Sequence, residues 1–205
     1  MVASISRTIS HGARISNHRQ RRGRRQNDGR LRTGIRDAGT RDCVGVMKPV
    51  DTLESQDAQS LALAVGSTMP MELICPFRYH EDSALAEAPD LAHIARCFDE
   101  IAAQSDVVLV ESASMIDFAG IAAMLNLEVI VVVGNRPGCV DATMLALDRC
   151  ESRGLKVAGY ILCDCDPISE VNDESLQSSV KAPYLGRMRH REPLARTIVE
   201  KLILY

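Results

Sequence analysis

Aromatic residues are scarce in this chain. Its 205 residues include no tryptophan, three phenylalanines and four tyrosines, and none of them precedes Phe77. A basic segment that stacks on nucleic-acid bases would need such rings. No run of eighteen apolar residues occurs, which excludes a membrane-spanning helix. The seven cysteines show no CxxC spacing and are odd in number. Scattered through apolar runs, they read as small buried hydrophobes in a reducing compartment rather than as disulfides. Cys163-Asp164-Cys165 has no His or second Cys pair at ligand spacing, so zinc is set aside. Lysine is missing from residues 1–42, where eleven arginines face three acids, a balance of +8. Residues 43–205 carry −11, and the two parts average to the net −3 of the whole.

The chain is 46% apolar and 25% charged, enough for one domain with a sizeable core. That composition excludes collagen, a disulfide-dense miniprotein and wholesale disorder. The charge split divides the chain into an Arg-rich segment, 1–42, and a domain, 43–205.

From Val44 onward apolar patterning is regular. Val44–Met47 reads as a strand that stops at Pro49. Residues 57–65 have helical spacing, with Asp57 placed as a cap and Gly66 just past the end. Residues 87–103 form an amphipathic helix with Leu91, Ile94, Ala95, Phe98 and Ala102 on one face. Residues 106–111 form a continuous β-branched run of the kind found in buried parallel strands, 128–134 read as a second buried strand and 156–162 as a third. Helices are expected over 117–125, 140–153 and 193–204. This alternation predicts an α/β fold with a mostly parallel sheet. Ligands bind such sheets at the carboxyl ends of the strands.

The stretches that follow strands are 48–52, 111–115, 134–141 and 163–166. Lys48 leaves its strand into a Pro-Val-Asp-Thr turn and presents a point charge, either to an anion such as phosphate or simply to solvent. Asp57 and Glu111, at a helix start and a strand end, could together hold a Mg²⁺ that keeps several waters. Asp57 alone reads as a plain cap, whereas an acid closing an apolar strand at the ligand edge asks for a role. Gly134–Asp141 leads into a helix and could offer backbone N–H groups to an anion, or be an ordinary turn.

The succession of Gly45-Val46-Met47-Lys48-Pro49-Val50, Asp57, Asp106–Glu111, Val129–Gly134, Gly138-Cys139-Val140-Asp141-Ala142-Thr143-Met144-Leu145 and Gly159–Leu162 resembles the dethiobiotin synthetases. Cys75-Pro76-Phe77-Arg78-Tyr79 resembles the segment before their substrate loop. The resemblance spans about residues 44 to 186. It implies a P-loop NTPase-like three-layer αβα domain, cytoplasmic and homodimeric, that takes ATP, Mg²⁺, CO₂ and 7,8-diaminononanoate and binds neither nucleic acid nor membrane. In that family a substrate amine becomes a carbamate, ATP phosphorylates it, and the second amine closes a cyclic urea. By resemblance Lys48 would stabilise carbamate and phosphate charge. Thr52 would hydrogen-bond the substrate. Asp57 and Glu111 would hold Mg²⁺ at the nucleotide. Gly138, Cys139, Val140 and Asp141 would cap the substrate carboxylate across the dimer interface.

The chain departs from that pattern in several places. The family opens with a strand and a glycine-rich phosphate loop ending Gly-Lys-Thr, and residues 1–42 hold no GxxxxGK[ST]. Its absence removes the amide cradle, the phosphate lysine and the Mg²⁺ hydroxyl together. Back-translating Asn17 to Gly34 and reading one nucleotide later permits Thr-Gly-Asn-Asp-Ala-Gly-Val-Gly-Lys-Thr-Thr. Lys or Arg is forced at Gln26, and Thr or Met at Asn27 and Asp28. Residues up to about Asp42 are therefore expected to be out-of-frame translation, disordered or poorly packed, leaving a strand flank of the sheet unpaired. An organellar transit peptide and a basic nucleic-acid arm are the other readings of this segment. Further departures are Ser112-Ala113-Ser114-Met115, Cys163 where the family has an adenine-contacting Asn, Ser83-Ala84-Leu85 in the substrate loop, and Arg187-Met188-Arg189 without the family's proline. The expected function is ATP-dependent dethiobiotin synthesis. The alternatives are a degenerate P-loop protein without catalysis, and a regulatory domain like that attached to phosphate acetyltransferases.

Overall fold

A computed structural model describes residues 3–9 (backbone only), 43–80, 88–112, 118–166 and 173–190. Its main sheet has six strands. They are β1 (Ala3–Ile9), β2 (Val44–Met47), β5 (Val107–Ser112), β6 (Glu128–Asn135), β7 (Val157–Asp164) and β8 (Tyr184–Met188), in the order β2-β5-β1-β6-β7-β8. Five of them run in one direction, and only β1 is antiparallel to its neighbours. The expected mostly parallel α/β sheet is therefore present. A small parallel pair, β3 (Val50–Thr52) and β4 (Phe77–Tyr79), stands apart from it. Lys48-Pro49 is where the chain leaves the main sheet, since proline cannot extend the ladder. The Lys48 N–H turns to the Ile74 carbonyl at 2.8 Å.

The helices are α1 (Asp57–Ala64), α2 (Met71–Ile74), α3 (Leu91–Ala102), α4 (Phe118–Met124), α5 (Cys139–Glu151) and α6 (Asp173–Ser179). Strand alternation sends Met47, Val108, Val110, Val129, Val131, Val133, Tyr160 and Leu162 into one core with Ile94, Phe98 and Ile101 of α3, Ile121 of α4, Cys139 of α5 and Leu176 of α6. The other sheet face packs Val46 against Ala62 of α1 and Ile74 of α2. Ile130, Ile161 and Leu185 form a separate cluster on that face. Helices thus cover both faces, giving three layers.

Several expectations are corrected in detail. Asp57 does not cap α1, because the cap position is Gln56 and makes no side-chain bond. Helix α3 starts four residues later than the spacing predicts, since Asp90 accepts from the Ala92 and His93 N–H groups at 2.9 and 3.2 Å and fixes the start. Leu91 is then exposed, while Cys97 and Ile101 join the buried face. The expected unpaired flank is filled by β1, whose Ile5 lies opposite Glu111 of β5 and Ile130 of β6. The 193–204 helix, Ala113–Met115, Ser83–Leu85 and the arginines from Arg14 to Arg41 lie outside the described residues.

Candidate active site

Lys48 stands one residue beyond β2, at the carboxyl edge of the sheet. Its Nζ donates to Asp57 Oδ2 and to Glu111 Oε1, both at 3.1 Å. The lysine is 3% exposed, Glu111 24% and Asp57 63%, so the amine is sunk and the carboxylates lie toward solvent. Burial pulls the amine's pKa down, but its hydrogen bonds and charge attraction to Glu111 and Asp57 outweigh that and hold it above 10.5. The site therefore sets the Lys48 ammonium between two carboxylates.

Asp57 is left for Lys48 because another carboxylate serves the helix start. Buried Asp51 accepts from the Ala58 N–H at 3.2 Å and from the Thr52 N–H at 2.9 Å. Thr52 sits on the next turn, where its hydroxyl accepts from the Ser55 N–H at 3.2 Å. Arg78, opposite Asp51 in the β3–β4 pair, locks that turn. Its Nη2 donates to the carbonyls of Thr52, Leu53 and Ser55 at 3.3, 3.1 and 3.0 Å. Spacing could reveal neither Asp51 nor Arg78 in these roles, because their partners are set by the chain path. Arg78 is 23–26 positions from the carbonyls it holds.

Gly138 precedes α5 with φ +80, a left-handed conformation suited to glycine. Cys139 is buried in the core, so its side chain is turned away from any ligand. Val140 is half-buried and Asp141 exposed in the first turn. This turn follows β6, which β1 separates from β5. Lys48, Asp57 and Glu111 thus meet directly, Thr52 adjoins them, and Gly138–Asp141 occupies a separate stretch of the same edge.

A second polar group lies at the ends of β6, β7 and β8. Asp164, 9% exposed, receives the Asn135 amide at 2.6 Å and Arg187 Nε at 2.9 and 3.0 Å. Burial pushes this carboxyl up, but the Asn135 and Arg187 hydrogen bonds win and hold it below 3.8. Arg187 also pairs with Asp173 at 3.5 Å. Beside it the Tyr184 hydroxyl is pushed up to about 12, first by burial and then by the Asp173 charge.

Comparison with known proteins adds ancestry. A family model described as an AAA domain matches residues 35–197. The ATP-dependent dethiobiotin synthetase of Janthinobacterium sp. (strain Marseille) is 31% identical over 179 residues, covering 76% of each chain. That of Anaeromyxobacter dehalogenans (strain 2CP-C) is 32% identical over 173 residues, covering 75% of each. That of Aromatoleum aromaticum is 32% identical over 177 residues, covering 80% of this chain and 79% of its own. The chain belongs to the dethiobiotin synthetase family.

Within this P-loop family, two structural facts bear on the nucleotide. Among the described residues no three His, Cys, Asp or Glu side chains form a metal cage. The pair Asp57 and Glu111 still suits Mg²⁺, which prefers one or two carboxylates and completes its shell with water and phosphate. Strand β1 pairs Ser4 with Ser112 and Ile9 with Val107. Its last residue therefore lies at the amino end of β5, opposite Lys48 and Glu111. A parallel strand would instead deliver the following loop to the site.

Proposed function

We propose that residues 43–205 are the body of an ATP-dependent dethiobiotin synthetase that closes a cyclic urea from 7,8-diaminononanoate and CO₂ in biotin biosynthesis. The observation that carries this reading is the Lys48 amine held 3.1 Å from both Asp57 and Glu111 at the strand edge, in a chain of this family. A substrate amine becomes a carbamate, which is then phosphorylated, and the second amine displaces phosphate to close the ring. Each stage concentrates negative charge on oxygens, and a fixed, desolvated cation stabilises such charge well. Lys48 supplies it. Asp57 and Glu111 would hold Mg²⁺, which would screen the nucleotide phosphates. Thr52 would orient the substrate, and the backbone of Gly138, Cys139, Val140 and Asp141 would receive its carboxylate from a second copy. The exposed Met144 and Leu145 of α5 support a homodimer through that helix. No helix among the described residues is long and apolar enough to cross a membrane.

We further propose that the chain as written lacks the phosphate cradle and binds no ATP, and that residues 1–42 are the cradle's coding region read one nucleotide out of frame. Two observations support this. The family model matches only from residue 35, and Ile9 leaves β1 at the edge away from the site. Calorimetry with Mg²⁺ and ATP tests it. No binding is expected for this chain, and binding is expected after the shifted frame is restored. Binding to the chain as written, at millimolar affinity or tighter, would refute the idea. Rescue of a biotin auxotroph by the restored version tests the reaction itself, and failure of a folded, ATP-binding version to rescue would leave the regulatory reading.

A further inference from the structure

The Lys48 ammonium already stands where a divalent cation would collect its protein ligands. We propose that Lys48 couples cation and anion binding, so that a divalent cation gains Asp57 and Glu111 only when an oxyanion draws Lys48 away from them. The inference rests on the reading that these carboxylates serve a metal.

Charge makes the first argument. Two carboxylates and one ammonium sum to −1, whereas adding a dication gives +1 and leaves a buried cation stripped of its partners. Leaving the buried ammonium without a partner in that way is unfavourable. A phosphate or carbamate oxygen beside Lys48 restores both the balance and the hydrogen bonds. Geometry makes the second. The backbone at Lys48 is fixed by its 2.8 Å bond to Ile74 and by Pro49, so only the side chain can turn. At 3% exposure it has no route to full hydration in place of a partner. The third argument is the ligand count. No further His, Cys, Asp or Glu completes a metal cage here among the described residues. The lysine therefore competes for the whole set. Coupling of this kind is reciprocal, so the anion also binds more tightly when the cation is present.

Mn²⁺ titrations of the full chain, read by electron paramagnetic resonance, test the proposal. Lys48→Met is expected to bind Mn²⁺ at least tenfold more tightly than the wild type, while Lys48→Arg stays as weak as the wild type. Inorganic phosphate should tighten Mn²⁺ binding in the wild type and not in Lys48→Met, with Glu111→Gln correcting for Mn²⁺–phosphate complexes in solution. Equal Mn²⁺ affinity for wild type and a folded Lys48→Met would overturn it. If Lys48→Met does not fold, the phosphate arm decides alone, and no phosphate-dependent gain over Glu111→Gln overturns the coupling. If Lys48→Met with Glu111→Gln binds Mn²⁺ as tightly as Lys48→Met, the carboxylates are not the cation's ligands. The metal assignment then fails, a result distinct from a failure of the coupling alone.

Discussion

Arg187 grips Asp164 with its Nε at 2.9 and 3.0 Å and its Nη2 at 2.9 Å, tying the ends of β7 and β8 together. Asp164 is 9% exposed and Arg187 22%. Removing the guanidinium would strand a largely buried carboxylate beside Asn135. Arg187→Met is expected to cost about 2–3 kcal/mol, somewhat below a fully buried pair because the arginine keeps some water. Denaturant unfolding measures it. A loss under about 0.5 kcal/mol would show that the pair contributes nothing net, as at exposed sites.

The same pair sets a pH dependence. The folded Asp164 pKa lies below its ordinary 3.8. Stability from this group is therefore fully present above about pH 4 and is lost as pH falls through the depressed folded value. Between pH 5 and pH 3 the wild type should lose more stability than Asp164→Asn. Parallel curves for the two proteins across that range would contradict the assignment.

Asp51 and Asp57 should separate in mutational scans. Asp51→Ala removes the acceptor for Ala58 and Thr52 at the start of α1. A cost of about 1–2 kcal/mol is expected, as for other lost helix caps. Asp57→Asn leaves that cap intact at a 63% exposed position, and should change the melting temperature little. Thermal melts of the two variants decide which aspartate supports the helix.

Two glycines should respond for different reasons. A Cβ on Gly45 would run into Ser105 Oγ and, at 2.6 Å, Ile101 Cγ2. Gly45→Ala is expected to lose about 1–3 kcal/mol by overpacking, and Ser105→Gly should recover part of it. Gly138 has open space around it, so Gly138→Ala pays only for φ +80, about 1 kcal/mol, and Gly138→Asn less. If Ser105→Gly gives no recovery, the close approach is not the cause at Gly45.

Most of the body was legible because its signals are local. The apolar runs within 107–112, 128–135 and 157–164 suit strands buried on both faces, as parallel strands are. Lys48 and Glu111 were legible as strand-edge residues and Asp57 as a helix-start residue, and the meeting of Lys48 with Glu111 follows from β2 lying beside β5. The pair Asp51–Ala58 was not, because a buried aspartate seven residues before its partner matches no capping pattern. Strands β3, β4 and β8 are three to five residues long, too short for periodicity to register. Strand β1 was missed for another reason. Ala-Ser-Ile-Ser-Arg-Thr-Ile has only modest apolar content, and its place comes from the vacancy between β5 and β6 rather than from its own pattern.

That origin makes β1 open to a direct test. Ser6 lies opposite Val110 on one side and Val129 on the other, inside both antiparallel ladders. Proline there removes a backbone donor and cannot be accommodated between two paired strands. Ser6→Pro is expected to lower stability by about 3 kcal/mol, read from the denaturation midpoint. It should also speed hydrogen exchange of the β5 and β6 amides facing the gap. A variant as stable and as protected as the wild type would mean that β1 does not hold this slot. In the frame-restored protein the slot should pass to a parallel strand that feeds the phosphate loop.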